Sequence, residues 1–119
     1  MRFSEIFTLV ACLATTAMAG ADDKTPKASP SVYVCEHVGF GGLCRHLGAP
    51  LDSCQNVPAD LNHRLSSVRP NLAAGVCRFY DDFNCQGNSF ISTYPGVSDI
   101  VSIHPAFNDK IISFKCIGV

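Results

Sequence analysis

The apolar positions of this chain fall in short runs separated by turn residues. Residues 31–35 (SVYVC) and 75–80 (GVCRFY) are rich in β-branched and aromatic side chains, the composition of strands. Leu43, Arg45 and Leu47, and later Ser89, Phe90 and Ile91, follow glycine turns and read as continuing strands. Residues 99–103 and 110–116 show strand-like alternation. Gly39, Gly41, Gly42, Gly48, Pro50, Pro58, Pro70, Gly75, Gly87, Pro95, Gly96 and Pro105 punctuate these runs. No stretch keeps a long 3.6-residue apolar period. The pattern predicts an all-β domain of short strands closed as an antiparallel sandwich.

The N-terminus follows another pattern. Arg2 precedes an uncharged apolar run, and Ala17-Met18-Ala19 presents small residues at a signal-peptidase cleavage site. Residues 1–19 therefore read as a secretory signal peptide. The apolar run is shorter than the roughly 20 residues that span a bilayer, so a membrane anchor is the weaker reading. Residues 20–30 (GADDKTPKASP) are polar and read as a flexible tail, which leaves 31–119 as the folded domain.

Composition sharpens this picture. The chain has 119 residues, enough for one domain, and a formal net charge of −1. That charge argues against nucleic acid or an anionic membrane as the main partner, since both need a basic face. Seven Cys in so short a chain point to an oxidising compartment. Cys12 leaves with the leader. Cys35, Cys44, Cys54, Cys77, Cys85 and Cys116 remain, an even set that reads as three disulfides in any of 15 pairings. No pair has C-x-x-C spacing, which disfavours a zinc cluster.

The folded part is duplicated. Glu36 and Asp81 each stand six residues before a glycine, Gly42 and Gly87, at an offset of 45. Residues 62–68 (NHRLSSV) parallel 108–114 (NDKIISF) at an offset of 46. Two landmarks in the same order indicate two copies of one unit, motif one over 31–70 and motif two over 75–119.

These landmarks resemble the βγ-crystallin Greek-key motif. Motif one offers Glu36, Phe40-Gly41-Gly42 and Ser67; motif two offers Tyr80-Asp81, Gly87 and Ser113. The resemblance implies two tandem Greek keys in one sandwich, in a secreted microbial protein that a fungal source would suit. Gly42 and Gly87 would take a positive φ, and Ser67 and Ser113 would hydrogen-bond the folded hairpins. Cys35 stands where motif one should carry an aromatic, and Cys85 replaces the hairpin aromatic of motif two. Disulfides would then replace aromatic packing in these hairpins. The fold implies Cys77–Cys116, because the first and fourth strands of one motif are neighbours. Cys44–Cys54, closing a short loop, and Cys35–Cys85 complete the expected set.

The resemblance also implies a calcium question. Members of this family often bind calcium through a stretch N/D-N/D-x-x-S/T-S, whose oxygen ligands suit a hard cation. In motif one, 62–67, His63 stands where the second acid or amide belongs; in motif two, 108–113, Ile112 stands where the hydroxyl belongs. Each copy has lost one side-chain oxygen. Asp109 from one stretch and Ser66 from the other could still share a site, with carbonyl oxygens near Glu36 or Asp81 and at Arg64 or Lys110. The expectation is no required cofactor and at most one weak calcium site.

Catalytic patterns are not found. His37, His46, His63 and His104 lack H-x-x-x-H spacing, Gly87-Asn88-Ser89 and Gly96-Val97-Ser98 do not continue to a nucleophile elbow, and the mature Cys are wanted for bridges. The reading is a non-enzymatic binding module, toxin- or effector-like, directed at an extracellular protein or cell-surface target. A protease inhibitor presenting residues 47–60 or 93–98 is one alternative. A calcium-stabilised structural or stress protein is the other.

Overall fold

The computed structural model describes residues 29–119. The expected leader at 1–19 and all but the last two residues of the expected 20–30 tail lie outside the described residues. Among the described residues seven strands form two antiparallel sheets: β1 (Ser31–His37), β2 (Gly41–Gly48), β3 (Gln55–Asn56), β4 (Ser67–Pro70), β5 (Cys77–Tyr80), β6 (Ser89–Ser92) and β7 (Ser113–Cys116). A short α-helix, α1 (Ile100–Ile103), lies between β6 and β7. The first sheet has the order β2-β1-β4 and the second β3-β7-β5-β6. The expected all-β sandwich of two tandem Greek keys is therefore present.

The two motifs exchange their third segments. β3 belongs to motif one by sequence but pairs with β7, with Gln55 opposite Phe114 and Asn56 opposite Ser113. Reciprocally, Val97 of motif two bridges to Val68 on β4. The exchange continues along the backbone: Val57 N–H donates to the Ile112 carbonyl (2.8 Å) and Ile100 N–H to the Ser66 carbonyl (3.0 Å). Each motif thus completes its partner's sheet, and neither closes alone.

The core lies between the sheets. In β1 the alternation points Val32 and Val34 inward, both fully buried. Phe79 of β5 packs against Phe90 (ring centroids 5.3 Å) and Phe114 (6.1 Å) from the neighbouring strands. Leu65 and Ile111, duplicates of each other, are fully buried from opposite motifs.

The hairpins repeat in atomic detail. Ser67 Oγ accepts from Phe40 N–H (3.1 Å) and donates to the His37 carbonyl (2.7 Å). Ser113 Oγ accepts from Cys85 N–H (2.9 Å) and donates to the Asp82 carbonyl (2.5 Å). Both serines are fully buried. The acids clip the same turns: Glu36 accepts from Leu43 N–H (3.0 Å) and Asp81 from Asn88 N–H (2.9 Å). Gly42 (φ 74°) and Gly87 (φ 86°) hold the conformation that disfavours side chains, and a Cβ there would lie 2.4 Å from His37 and from Asp81, respectively.

Three expectations need correction. Residues 99–103 are not a strand. Asp99 caps a helical turn by accepting from Ser102 N–H (3.2 Å); only Ile100 turns inward, leaving Val101 and Ile103 exposed. β7 begins at Ser113, not at 110, because Asp109 sits at φ 60° and Ile111 and Ile112 are both buried, which breaks the alternation. The disulfides are Cys35–Cys44, Cys54–Cys85 and Cys77–Cys116, not Cys44–Cys54 with Cys35–Cys85. The register of β1 and β2 sets Cys35 directly opposite Cys44 (Cα–Cα 4.1 Å). The crossing of β3 carries Cys54 away from Cys44 and to the hairpin of motif two, where Cys85 waits (Cα–Cα 5.9 Å). Cys35 and Cys85, the two positions that depart from the family's aromatics, are both bridged.

Candidate calcium pocket at the motif junction

The exchange of segments brings the two duplicated stretches together. Leu65 and Ile111 anchor them in the core, and the residues around each anchor turn outward. His63 and Asp109, equivalent positions, both take a positive φ (64° and 60°), which turns the chain sharply before the fourth strand of each motif. Asp109 N–H donates to the Leu65 carbonyl (3.0 Å), and Ser66 N–H donates to the Cys35 carbonyl (3.0 Å).

These bonds place Ser66 Oγ 3.4 Å from Asp109 Oδ1, although the residues lie 43 positions apart. An open pocket forms around them, lined by Glu36, His37, His63, Arg64, Ser66 and Asp109. Glu36, Arg64, Ser66 and Asp109, all expected from the sequence, are thus together. Asp81 and Lys110, the motif-two counterparts of Glu36 and Arg64, do not line this pocket, and buried Ile112 stands at the motif-two counterpart of Ser66. His37 is a further wall that no motif in the sequence singles out. Its neighbour Glu36 was the only local signal.

The donor set fits a hard cation in kind and falls short in charge. Asp109 is solvent-exposed and supplies a carboxylate, Ser66 a hydroxyl. The buried Oδ1 of Asn108, beside Asp109 in the stretch, has no hydrogen-bond partner among the described residues, but Asn108 does not line the pocket. Against this, one Glu36 oxygen is committed to the Leu43 N–H, and the other stands 4.0 Å from Arg64 Nη1. The guanidinium puts positive charge where a cation would sit. No group of three or more His, Cys, Asp or Glu is placed to hold a metal among the described residues.

No family sequence model matches the chain, and no curated protein sequence does. Solved structures do. The chain is similar to a βγ-crystallin from an archaeon, with 27% identity and a TM-score of 0.61 over 75% of this chain and 99% of that one. A βγ-crystallin from Ciona intestinalis gives 22% identity and a TM-score of 0.59 over 72% and 98%. The βγ-crystallin domain of Abundant Perithecial Protein from Neurospora crassa, solved in its Ca2+-bound form, gives 17% and 0.57 over 79% and 96%.

Proposed function

We propose that this chain, βγ-crystallin-like in fold, is a secreted, non-enzymatic module that acts by binding. Its target is an extracellular protein or cell surface, in the manner of a toxin or effector, and it carries one weak calcium site shared by its two motifs. The observation that carries the calcium reading is the convergence of Ser66 and Asp109, one from each motif, at 3.4 Å. A neighbour in fold is calcium-bound. Asp109, Ser66 and carbonyl oxygens of the two stretches would hold the ion, which would tie the motifs together at their junction. Arg64 weakens that site by competing for the same place.

Secretion rests on the signal-peptide pattern of 1–19 and on three disulfides, which persist in oxidising compartments. Among the described residues no helix is long and apolar enough to cross a membrane. Expression with the native leader tests this: secreted protein should begin at Gly20.

A calcium titration followed by thermal melting tests the site. At ten times a millimolar Kd, calcium stabilises by about 1.4 kcal/mol. For a domain of this size that raises Tm by about 6–11 °C. D109A should abolish the rise. No shift of the wild type at millimolar calcium would sink the calcium reading. Growth inhibition and surface binding against a panel of microbial cultures test the target class. If both are negative while calcium raises Tm, the structural reading replaces the effector reading.

A further inference from the structure

The outer face of the second sheet carries a groove that neither the core nor the calcium pocket uses. Alternation along β5 buries Phe79 and turns Arg78 and Tyr80 outward. The strand register sets Ile91 of β6, Arg78 of β5 and Lys115 of β7 in one row across the sheet. With Val76, Tyr80 and Ile117 they line a shallow depression. Ile91 and Ile117 are 54% and 57% exposed. Among the described residues neither Arg78 nor Lys115 has a carboxylate within ion-pair distance. In a chain of net charge −1 this is a local cationic and apolar surface.

β6 is also the last strand of its sheet. Among the described residues, none of the Ser89–Ser92 backbone groups is bonded outside the ladder with β5. Exposed edges are usually guarded by shortness of the strand, a charge, a proline or a bulge, and of these β6, at four residues, has only its shortness. β6 reads SFIS and has no charge and no proline. The equivalent edge in motif one, β2, carries Arg45, which grips Asp60 through two hydrogen bonds. The duplicated scaffold therefore guards one edge and leaves the other open. Arg78 reaches that open edge: its Nη1 donates to Ser89 Oγ on β6 (2.9 Å). A strand added beside β6 would lie about 4.8 Å farther out, so a carboxylate on it falls within reach of the guanidinium.

We propose that β6 receives an added strand from a partner protein. That strand presents an apolar side chain beside Ile91 and, two residues along the same face, a carboxylate beside Ser89 for Arg78. Backbone hydrogen bonds to the edge give affinity, and the Ile91–Arg78 row gives sequence preference. Lys115, one strand farther in, adds long-range attraction for an acidic segment. A second copy of this chain is the poorer occupant. Its β6 offers no acid, and the two Arg78 side chains would share one face with like charge.

This inference rests on the reading of the chain as a binding module and names its surface. The probe is a short fluorescent peptide alternating threonine with valine and glutamate, titrated against the mature chain. R78E and I91K are exposed substitutions whose melting temperatures are checked in parallel. Binding should weaken about tenfold or more in each variant and weaken with salt. On peptide binding the Ser89–Ser92 amides should gain protection from hydrogen exchange. Equal affinity of wild type and both variants, equal binding of a lysine-for-glutamate peptide, or no added protection in β6 overturns the proposal. So does binding that anionic vesicles compete away completely. Cell-surface binding by the same proteins separates the two levels. If R78E and I91K still bind cells like the wild type, the surface is wrong and the binding reading stands. If the wild type binds no cell, the binding reading itself fails.

Discussion

The buried serines Ser67 and Ser113 hold the two folded hairpins, and their removal is the sharpest stability test of the duplicated scaffold. Each hydroxyl accepts one hairpin N–H and donates to one hairpin carbonyl, at 2.5–3.1 Å, from a fully buried position. Alanine removes both bonds without changing the strand. It leaves two backbone groups short of partners, each costing about 1–3 kcal/mol when fully buried. His37 and Asp82, whose carbonyls accept these bonds, lie at exposed positions, so water can replace part of the loss. About 2 kcal/mol per serine follows, or about 8–16 °C in Tm for a domain of this size. The two sites lie in different motifs and share no partner, so the double variant should lose close to the sum. Calorimetry of S67A, S113A and the double variant measures this. A loss under about 2 °C for either serine, or a large loss at only one, would refute the claim that the motifs are clamped alike.

Other consequences can be checked with similar means. Asp60 has its pKa lowered chiefly by its side-chain hydrogen bonds with Arg45, with the opposite charge adding to the effect. That pair supports the fold above the usual carboxylate pKa of about 4, and the support is lost as pH falls from there through the depressed value; melts from pH 5 to pH 2 should fall less steeply for D60N. The disulfides close loops with separations of 9, 31 and 39 residues. On the loop-entropy view, removing Cys54–Cys85 as a Ser pair should cost roughly 1 kcal/mol more than removing Cys35–Cys44, measured by denaturant unfolding. R64A should strengthen calcium binding by removing the guanidinium beside Glu36; a calcium titration showing weaker binding in R64A would contradict the account of the pocket.

Local features of this fold were legible in the sequence because local chemistry dictates them. Gly42 and Gly87 must turn the hairpins, Ser67 and Ser113 must satisfy them, and the β-branched and aromatic runs around Val32 and Phe79 must face a core. The pairing of Ser66 with Asp109 was also legible, through the duplication and the family likeness. The exchanged segments were not. β3 is two residues long, and its partner segment in motif two is reduced to the Val97 bridge, so neither leaves a hydrophobic period to read. The cysteine pairing depends on where β3 crosses, a long-range event, and so the short Cys44–Cys54 loop looked plausible while the register opposed it. Residues 99–103 alternate like a strand, but Asp99 supplies a helix cap, and one buried Ile100 suffices to seat the turn. The open edge at β6 has no signature at all in sequence. It emerges only when the sheet order shows which strand is last.

The central claim is that the motifs are interlocked, with β3 crossing into the sheet of motif two and thereby assembling the Ser66–Asp109 pocket. Peptide mapping of the unreduced protein tests that most directly, because Cys54 can meet Cys85 only if the crossing occurs. The account predicts linked peptides joining Cys35 to Cys44, Cys54 to Cys85 and Cys77 to Cys116. Recovery of Cys44 linked to Cys54 would contradict it.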